Sequence, residues 1–174
     1  MNNFENKDYK IFEIFDKNWA LVSAGNVNDN NACTISWGSM GTLWGKQIVT
    51  VYLHPSRYTQ GYLENNEYFT VSFFDEEYKP ALAYMGSHSG RDEDKTINAN
   101  LTTIEVNNSI SYKQAHTTFI CKKLYGGMFN KEGLSKEIKD FYINSPKAFP
   151  LDENNNWNPH YIYVGEIIKV INNK

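Results

Sequence analysis

The sequence has few cysteines and no long apolar run. Cys33 and Cys121 are its two cysteines, and they form neither a CxxC pair nor a Cys/His spacing. Neither a disulfide framework nor a structural zinc site is therefore supported. No apolar run approaches the ~18 residues that a membrane-spanning helix needs, and residues 1–8 do not resemble a secretory signal. We expect a soluble, cytoplasmic protein that does not bind membranes.

Basic residues are not in excess either. The chain carries 17 Lys and Arg against 20 Asp and Glu, which gives a formal net charge of −3. Nucleic-acid-binding domains usually show a clustered Lys/Arg field that neutralises phosphates. We therefore expect no nucleic-acid partner.

Motifs of hydrolytic and nucleotide-binding chemistry are also missing. The sequence contains no HExxH, no nucleophile elbow, no GxGxxG and no P-loop motif, and its four histidines stand at no metal-ligand spacing. We predict no metal site and no catalytic side chain. His54 and His160 each flank a predicted strand, which favours structural or hydrogen-bonding roles for both.

What the sequence does have is one domain's length and many aromatic residues. Its 174 residues fit a single domain, residues 1–174, and 41% hydrophobic with 21% charged residues is ordinary for a globular protein. Aromatic residues reach 15%, which is more than a core of this size needs. This excess indicates a flat ligand or a large subunit interface.

The pattern of apolar residues predicts a mainly β protein. Short segments rich in β-branched and aromatic residues, bounded by Gly, Asn or Pro, predict strands at residues 20–24, 33–37, 48–53, 68–74, 117–125 and 161–168. Helices are predicted as short insertions at residues 57–65, 80–85, 92–99 and 134–143. Because helices do not alternate regularly with strands, we expect an antiparallel barrel rather than a doubly wound sheet.

Three segments carry residues suited to a ligand. Residues 31–45 alternate glycines and hydroxyl residues with two tryptophans, which fits either a flat ring approached by the backbone or a glycine-rich strand connection. Arg57 and Thr59 stand at a predicted helix start, which favours either a phosphate site or an ordinary capped helix. Arg91 and Lys95 stand at another, with either an anion or the neighbouring Asp92 and Asp94 as partners.

Together, these segments resemble the flavin reductase-like family of FMN-binding split-barrel proteins. The match consists of Asn-x-x-Thr-Ile-Ser-Trp-Gly at residues 31–38, Pro-Ser-Arg-Tyr-Thr at 55–59, Tyr-Phe-Thr-Val-Ser-Phe at 68–73, Ser-Gly-Arg-Asp-x-Asp-Lys at 89–95 and His-Tyr-x-x-Val-Gly-Glu at 160–166. It extends from about Trp19 to Val170, and the combination rather than any single motif is specific.

The resemblance implies a six-stranded antiparallel split β-barrel with Greek-key topology and short helical insertions, working as a homodimer with FMN near the subunit interface. Residues that the motifs place at the FMN phosphate are Arg57, Thr59, Ser89 and Lys95. Residues that they place along the ribityl chain and the ring are Asn31, Thr34, Ser36 and Trp37. His160 and Tyr161 would close the site, from the same or the other subunit.

The function implied is hydride transfer from NADH or NADPH to a flavin or another small acceptor, so no catalytic side chain is required of the protein. Two alternatives stay open. FMN can be a fixed group in an electron carrier of flavoredoxin type that serves a redox protein. The barrel can also bind a flat ligand without redox turnover.

Overall fold

The computed structural model describes residues 8–173, and these form a mainly β structure with short helices. The strands are β1 (Ala20–Gly25), β2 (Asn30–Ile35), β3 (Gly38–Leu43), β4 (Lys46–Leu53), β5 (Tyr68–Phe74), β6 (Thr103–Val106), β7 (Ser109–Tyr112), β8 (Ala115–Met128) and β9 (Tyr161–Asn172). The helices are α1 (Ile11–Asp16), α2 (Tyr58–Asn65), α3 (Lys79–Ser87), α4 (Lys95–Asn98) and α5 (Lys136–Ile143), with a 3₁₀ turn at Glu76–Tyr78. No helix within residues 8–173 is long and apolar enough to cross a membrane.

The main sheet has seven antiparallel strands in the order β2-β1-β5-β8-β9-β4-β3, so the prediction of six strands was wrong. The additional strand is β3, which lies within the segment interpreted as a ligand wall. It pairs with β4 from Gly38 opposite Val51 to Leu43 opposite Lys46. Trp44 and Gly45, both at positive φ, form the two-residue connection, as the right-handed twist of a hairpin favours.

A second hairpin, β6-β7, was also not predicted. Asn107 and Asn108 both have positive φ at its two-residue turn, a conformation that Asn tolerates better than most residues. Ile110 and Tyr112 of β7 are fully buried against Leu21 and α3 residues, forming an apolar cluster separate from the core. The hairpin thereby covers one side of the main sheet.

The main core consists of inward side chains from β1, β2, β4, β5, β8 and β9. Val49, Val51, Phe69, Phe73 and Phe119 are at most 1% exposed. Because six strands of one sheet share this core, the sheet must curl around it rather than lie flat. The six predicted strands are confirmed, with boundaries shifted by up to four residues.

Helix starts differ from the predictions because of capping. Ser56 does not cap α2; its hydroxyl lies 2.8 Å from His54 Nδ1 instead. The Asp94 carboxylate caps α4 by accepting from the backbone N–H groups of Thr96 and Ile97, so α4 begins three residues later than predicted. Helix α3 extends two residues beyond its predicted end at residue 85 and so includes Gly86.

Helix α1 closes one end of the core, although no sequence signal predicted it. Phe15 is 2% exposed, and its ring meets that of Phe73 at 5.3 Å in an edge-on contact. A Cβ added at Gly38 would lie 2.3 Å from the Phe15 ring. Glycine at position 38 therefore makes the space in which α1 docks on β3.

We expect Phe15→Ala to lower the free energy of unfolding by about 3 kcal/mol, because it removes a buried aromatic ring and leaves a cavity. Phe12→Ala is the matched control in the same helix, since Phe12 is 95% exposed, and should change stability by less than about 0.5 kcal/mol. Urea unfolding followed by intrinsic fluorescence measures both. Equal effects of the two changes would contradict the docking of α1.

Candidate functional site

Three cavities meet at the turn between β4 and α2, residues 54–57, and Arg57 lines all of them. We call the cavity at Lys95 the anion pocket, the cavity at Trp37 the aromatic cavity and the cavity along α2 at Gly61 the outer groove. The anion pocket and the aromatic cavity also share Cys33. The residues at which they meet come from β2, from the turn before α2 and from the segment between α3 and α4, which are the three segments that the sequence marked.

The anion pocket has a volume of about 130 Å³. It brings together five residues predicted from the sequence: Asn31, Arg57, Thr59, Ser89 and Lys95. Two of these are cations and the other three are neutral donors, a composition that suits a phosphate or another small anion. Arg91, for which the sequence left open an anion or the neighbouring acids as partner, lines the same pocket, as does His88, which was not a predicted site residue.

Lys95 lies at the wall of this pocket and is 4% exposed. Its ammonium group donates to the carbonyl oxygens of Ala32 at 2.7 Å and Met85 at 3.0 Å. Within residues 8–173 no carboxylate pairs with it, and burial lowers the pKa of Lys95. An ammonium group has three N–H donors, so one remains for an anion in the pocket.

The neutral side of the pocket is fixed by a hydrogen bond between β2 and α2. Asn31 Nδ2 donates to Thr59 Oγ1 at 2.8 Å, and both residues are buried. A Cβ at Gly90 would lie 2.2 Å from Asn31 Oδ1. Glycine at position 90 thus lets the α3–α4 connection approach β2 closely, which brings Ser89 and Lys95 to the pocket.

Arg57 and Arg91 form the exposed side. Arg57 Nη1 donates to the Gly86 carbonyl at 2.8 Å, which ties the start of α2 to the end of α3. Arg91 Nη1 donates to the Ser56 carbonyl at 3.3 Å, and the guanidinium lies 4.7 Å from the centre of the Tyr58 ring. Each guanidinium has five N–H donors, so most donors of both remain for a ligand.

The aromatic cavity has a volume of about 140 Å³ and joins the anion pocket at Cys33 and Arg57. It is lined by the predicted residues Thr34, Ser36, Trp37 and His160, together with Tyr52, His54 and Phe149. The Trp37 ring, 42% exposed, lies 4.9 Å from that of His160 and 6.2 Å from that of Phe149. Flat rings and few charges make this cavity suited to a planar heterocycle.

His160 is a neutral imidazole at this cavity, hydrogen-bonded to Tyr142. The Tyr142 hydroxyl oxygen accepts from the His160 backbone N–H at 3.2 Å and lies 2.7 Å from Nδ1. When that hydroxyl donates its one proton to Nδ1, the ring proton of His160 is on Nε2. Burial, and then the charges of His54 and Arg57, lower the pKa of His160 to about 3.

His54 has its ring proton on Nε2. Its Nδ1 accepts from the Ser56 backbone N–H at 3.3 Å, and its Nε2 donates to the Asn158 carbonyl at 3.2 Å. Burial lowers the pKa of His54, with a smaller contribution from Arg57. Both histidines of the cavity are therefore neutral at pH 7.

One predicted residue lies elsewhere. Tyr161 lines neither the anion pocket nor the aromatic cavity; its ring stacks on that of Tyr163 at 6.0 Å. Side chains alternate along a strand, so Tyr161 and its neighbour His160 project to different sides at the start of β9. Thr34 lines the cavity, but its hydroxyl donates to the Leu82 carbonyl, which leaves its oxygen as an acceptor.

The sequence did not mark Phe149 or Tyr142 as site residues. Phe149 comes from the segment between α5 and β9, for which the sequence predicted neither a helix nor a strand. Tyr142 lies in α5, within the helix predicted at residues 134–143. Its hydroxyl forms a hydrogen bond with His160, which is 18 residues away in the sequence. A local sequence pattern cannot indicate such a contact.

The sequence model of the flavin reductase like domain matches residues 12–173. The chain belongs to this family. A comparison with curated protein sequences finds no match.

Solved structures with the same fold come from several organisms. An FMN-binding protein from Thermus thermophilus with bound 1-cyclohex-2-enone has a TM-score of 0.65 at 20% identity, covering 88% of this chain and 69% of that one. Flavoredoxin from Methanosarcina acetivorans has a TM-score of 0.67 at 18% identity, covering 100% and 74%. An NADH:FAD oxidoreductase from Streptomyces globisporus has a TM-score of 0.64 at 13% identity, covering 89% and 74%.

The low pKa of His160 predicts a pH dependence of stability. Unfolded histidine takes up a proton below about pH 6.5, whereas the folded residue stays neutral down to about pH 3. Its contribution is thus complete above pH 6.5 and is lost as the pH falls. We expect His160→Gln to lose about 1 to 2 kcal/mol less stability between pH 7 and pH 5 than the wild type does. Urea unfolding at both pH values measures this, and equal losses would refute the assignment.

Proposed function

We propose that this chain binds FMN and takes hydride from NADH or NADPH, passing it on to a flavin or another small acceptor. The observation that supports this function is that a cationic pocket of phosphate size and an aromatic cavity share Arg57 and Cys33. FMN has a phosphate at one end and a planar ring at the other, and the two cavities match these ends. Family membership supports the same conclusion.

The residues present fit the phosphate end of FMN. Lys95 has a buried ammonium group with two carbonyl acceptors and no carboxylate partner within residues 8–173. A phosphate would pair with this cation and so offset the unfavourable burial of its charge. Arg57 would add charge-assisted donors, and Thr59 and Ser89 would add hydroxyls.

The aromatic cavity would hold and tune the ring. When bound, FMN supplies the hydride-accepting centre, and the protein positions it. Trp37 and Phe149 would pack against the ring, and the neutral Nε2–H of His160 would donate a hydrogen bond to one of its acceptors. Ser36 adds a hydroxyl. No general acid or base among the chain's residues is needed for hydride transfer.

We propose that the active form is a homodimer. Trp37 and Phe141 are each 42% exposed, and their rings lie 6.2 Å apart beside the aromatic cavity. Exposed apolar side chains next to a site are typical of subunit interfaces. In this arrangement Tyr161, which lines neither cavity of its own chain, remains available to the partner's site.

A second candidate function is that of an electron carrier with FMN as a fixed group. It is favoured by the exposed edge of Trp37 at the aromatic cavity, which would give a partner redox protein access, and by the likeness in fold to flavoredoxin. A non-redox barrel that binds a flat ligand is the third possibility.

We expect the purified protein to be yellow and to lose its visible absorbance when NADH or NADPH is added without oxygen. Stopped-flow absorbance at the flavin band measures the reduction rate with each nucleotide. Slow reduction by both nucleotides with rapid reduction by an iron–sulfur protein would favour the electron carrier. A colourless protein that does not bind added FMN would contradict the proposal and leave the non-redox barrel.

We expect Arg57→Ala to weaken FMN binding by about 1.5 to 3 kcal/mol, because a charge-assisted hydrogen bond to the phosphate is lost. Lys79→Ala is the control: Lys79 also donates to a backbone carbonyl, that of Lys17, but lies outside the anion pocket. Quenching of FMN fluorescence gives the two dissociation constants. Equal affinities of the two variants for FMN would show that the phosphate does not bind at Arg57.

Lys95 is a less clean position for this test. Lys95→Ala would leave the carbonyls of Ala32 and Met85 without their donor. Its effect on FMN binding would then be mixed with a loss of stability.

A further inference from the structure

His160 leaves one ring nitrogen for a ligand in the aromatic cavity. Its backbone carbonyl accepts from the Phe129 N–H at 3.1 Å, and its backbone N–H and Nδ1 both meet the Tyr142 hydroxyl. Within residues 8–173, Nε2 has no hydrogen-bond partner, although His160 lines the cavity and is only 7% exposed. Nε2 is therefore the polar atom of this residue that a ligand can use.

The other histidine of the cavity has no such atom. His54 Nδ1 accepts from the Ser56 backbone N–H, and His54 Nε2 lies 3.2 Å from the Asn158 carbonyl oxygen. Both of its ring nitrogens thus have protein partners. Since burial keeps His160 neutral, with a pKa of about 3, its tautomer decides whether Nε2 offers a ligand a donor or an acceptor.

The Tyr142 hydroxyl selects between these two tautomers. Tyr142 is 6% exposed, and among the described residues its hydroxyl has no acceptor other than His160 Nδ1. If Nδ1 carried the ring proton, the hydroxyl oxygen would receive two N–H groups, and the hydroxyl proton would be buried without an acceptor, which is unfavourable. If the hydroxyl donates to Nδ1, the whole contact is satisfied and the ring proton is on Nε2.

Aromatic packing holds both partners of this hydrogen bond in place. The Trp157 ring stacks on that of Tyr142 at 5.8 Å with 18° between the ring planes, and the Phe149 ring lies 5.1 Å from Tyr142 on a tilted plane. The Trp37 ring lies 4.9 Å from that of His160. A hydroxyl and an imidazole that are fixed by packing in this way can maintain one tautomer.

We propose that Tyr142 is a positioning residue that keeps the ring proton of His160 on Nε2, so that the aromatic cavity offers a hydrogen-bond donor to the bound flavin ring. This inference rests on the proposed function, because it takes the ring to lie in this cavity. It goes beyond that function by giving Tyr142, which does not line the cavity, control over the reduction potential of the flavin.

A donor fixed at Nε2 would interact differently with the two redox states of the ligand. Hydride brings an electron pair to the ring, so the acceptor atoms of the reduced ring are more negative than those of the oxidised ring. Hydrogen bonds to a negatively charged acceptor are stronger than those to a neutral one. His160 would therefore stabilise the reduced flavin more than the oxidised flavin and raise its potential.

The first test is NMR of the histidine ring nitrogens in the flavin-free full chain at pH 7. We expect His160, identified by the signals that His160→Gln removes, to carry its proton on Nε2 alone. Tyr142→Phe should populate both tautomers, because Nδ1 loses its donor. Tyr112→Phe is the matched control and should leave this tautomer unchanged, since Tyr112 is also buried but its hydroxyl lies 3.1 Å from Ser23 Oγ, away from the cavity.

The second test is the midpoint potential of bound FMN, measured against dyes of known potential. We expect Tyr142→Phe to lower the ratio of the affinities for reduced and oxidised FMN about threefold to tenfold, because the donor at Nε2 is partly lost. For a two-electron couple, tenfold corresponds to about 30 mV. In the His160→Gln background the same substitution should leave the potential unchanged, because Tyr142 acts through His160.

A wild-type His160 with its proton on Nδ1 would overturn the inference, and this measurement does not require a Tyr142 variant that folds. An effect of Tyr142→Phe on the potential that persists in the His160→Gln background would also overturn it, because a general structural change acts in both backgrounds. If the wild type does not bind FMN, the proposed function fails while the tautomer result stands. FMN binding with a potential that Tyr142→Phe leaves unchanged defeats this inference alone.

Discussion

The candidate site depends on the hydrogen bond from Arg57 to the Gly86 carbonyl, 2.8 Å long. It joins the first residue before α2 to the last turn of α3, and the segment that follows α3 carries Ser89, Gly90 and Arg91. A second hydrogen bond, from Arg91 to the Ser56 carbonyl, links the same two segments, so both walls of the anion pocket are tied together. Because the Arg57 guanidinium lines all three cavities, it sets their positions relative to one another.

Burial of Lys95 at the anion pocket is energetically unfavourable. A nearly buried ammonium group without a carboxylate partner in residues 8–173 is unfavourable by itself, and two backbone carbonyls offset only part of the penalty. An anion in the pocket would supply the missing negative charge. The more tightly this anion binds, the more it would stabilise the folded state. Burial of Lys95 therefore lowers the stability of the ligand-free protein and raises its affinity for an anion.

Much of the fold and of the candidate site could be predicted from the sequence, and the failed predictions have physical causes. Strand positions followed from β-branched runs such as residues 48–53, and the pocket residues followed from the resemblance of the motifs to those of the family. The seventh strand was missed because Gly38–Leu43 is short, glycine-rich and largely exposed, so it lacks the apolar alternation that marks a strand. Tyr142 and Phe149 were missed because their roles arise from contacts across the fold, which local periodicity does not encode.

The electrostatics of the cavities also determine the direction in which a ligand lies. Arg57, Arg91 and Lys95 make one end cationic, whereas burial keeps His54 and His160 neutral at the other. If either histidine were charged, the aromatic cavity would compete for the phosphate. Burial is the main cause of the low pKa of both imidazoles, and the charge of Arg57 lowers the two pKa values further. This distribution of charge favours a ligand whose anionic end lies in the anion pocket and whose flat end lies in the aromatic cavity.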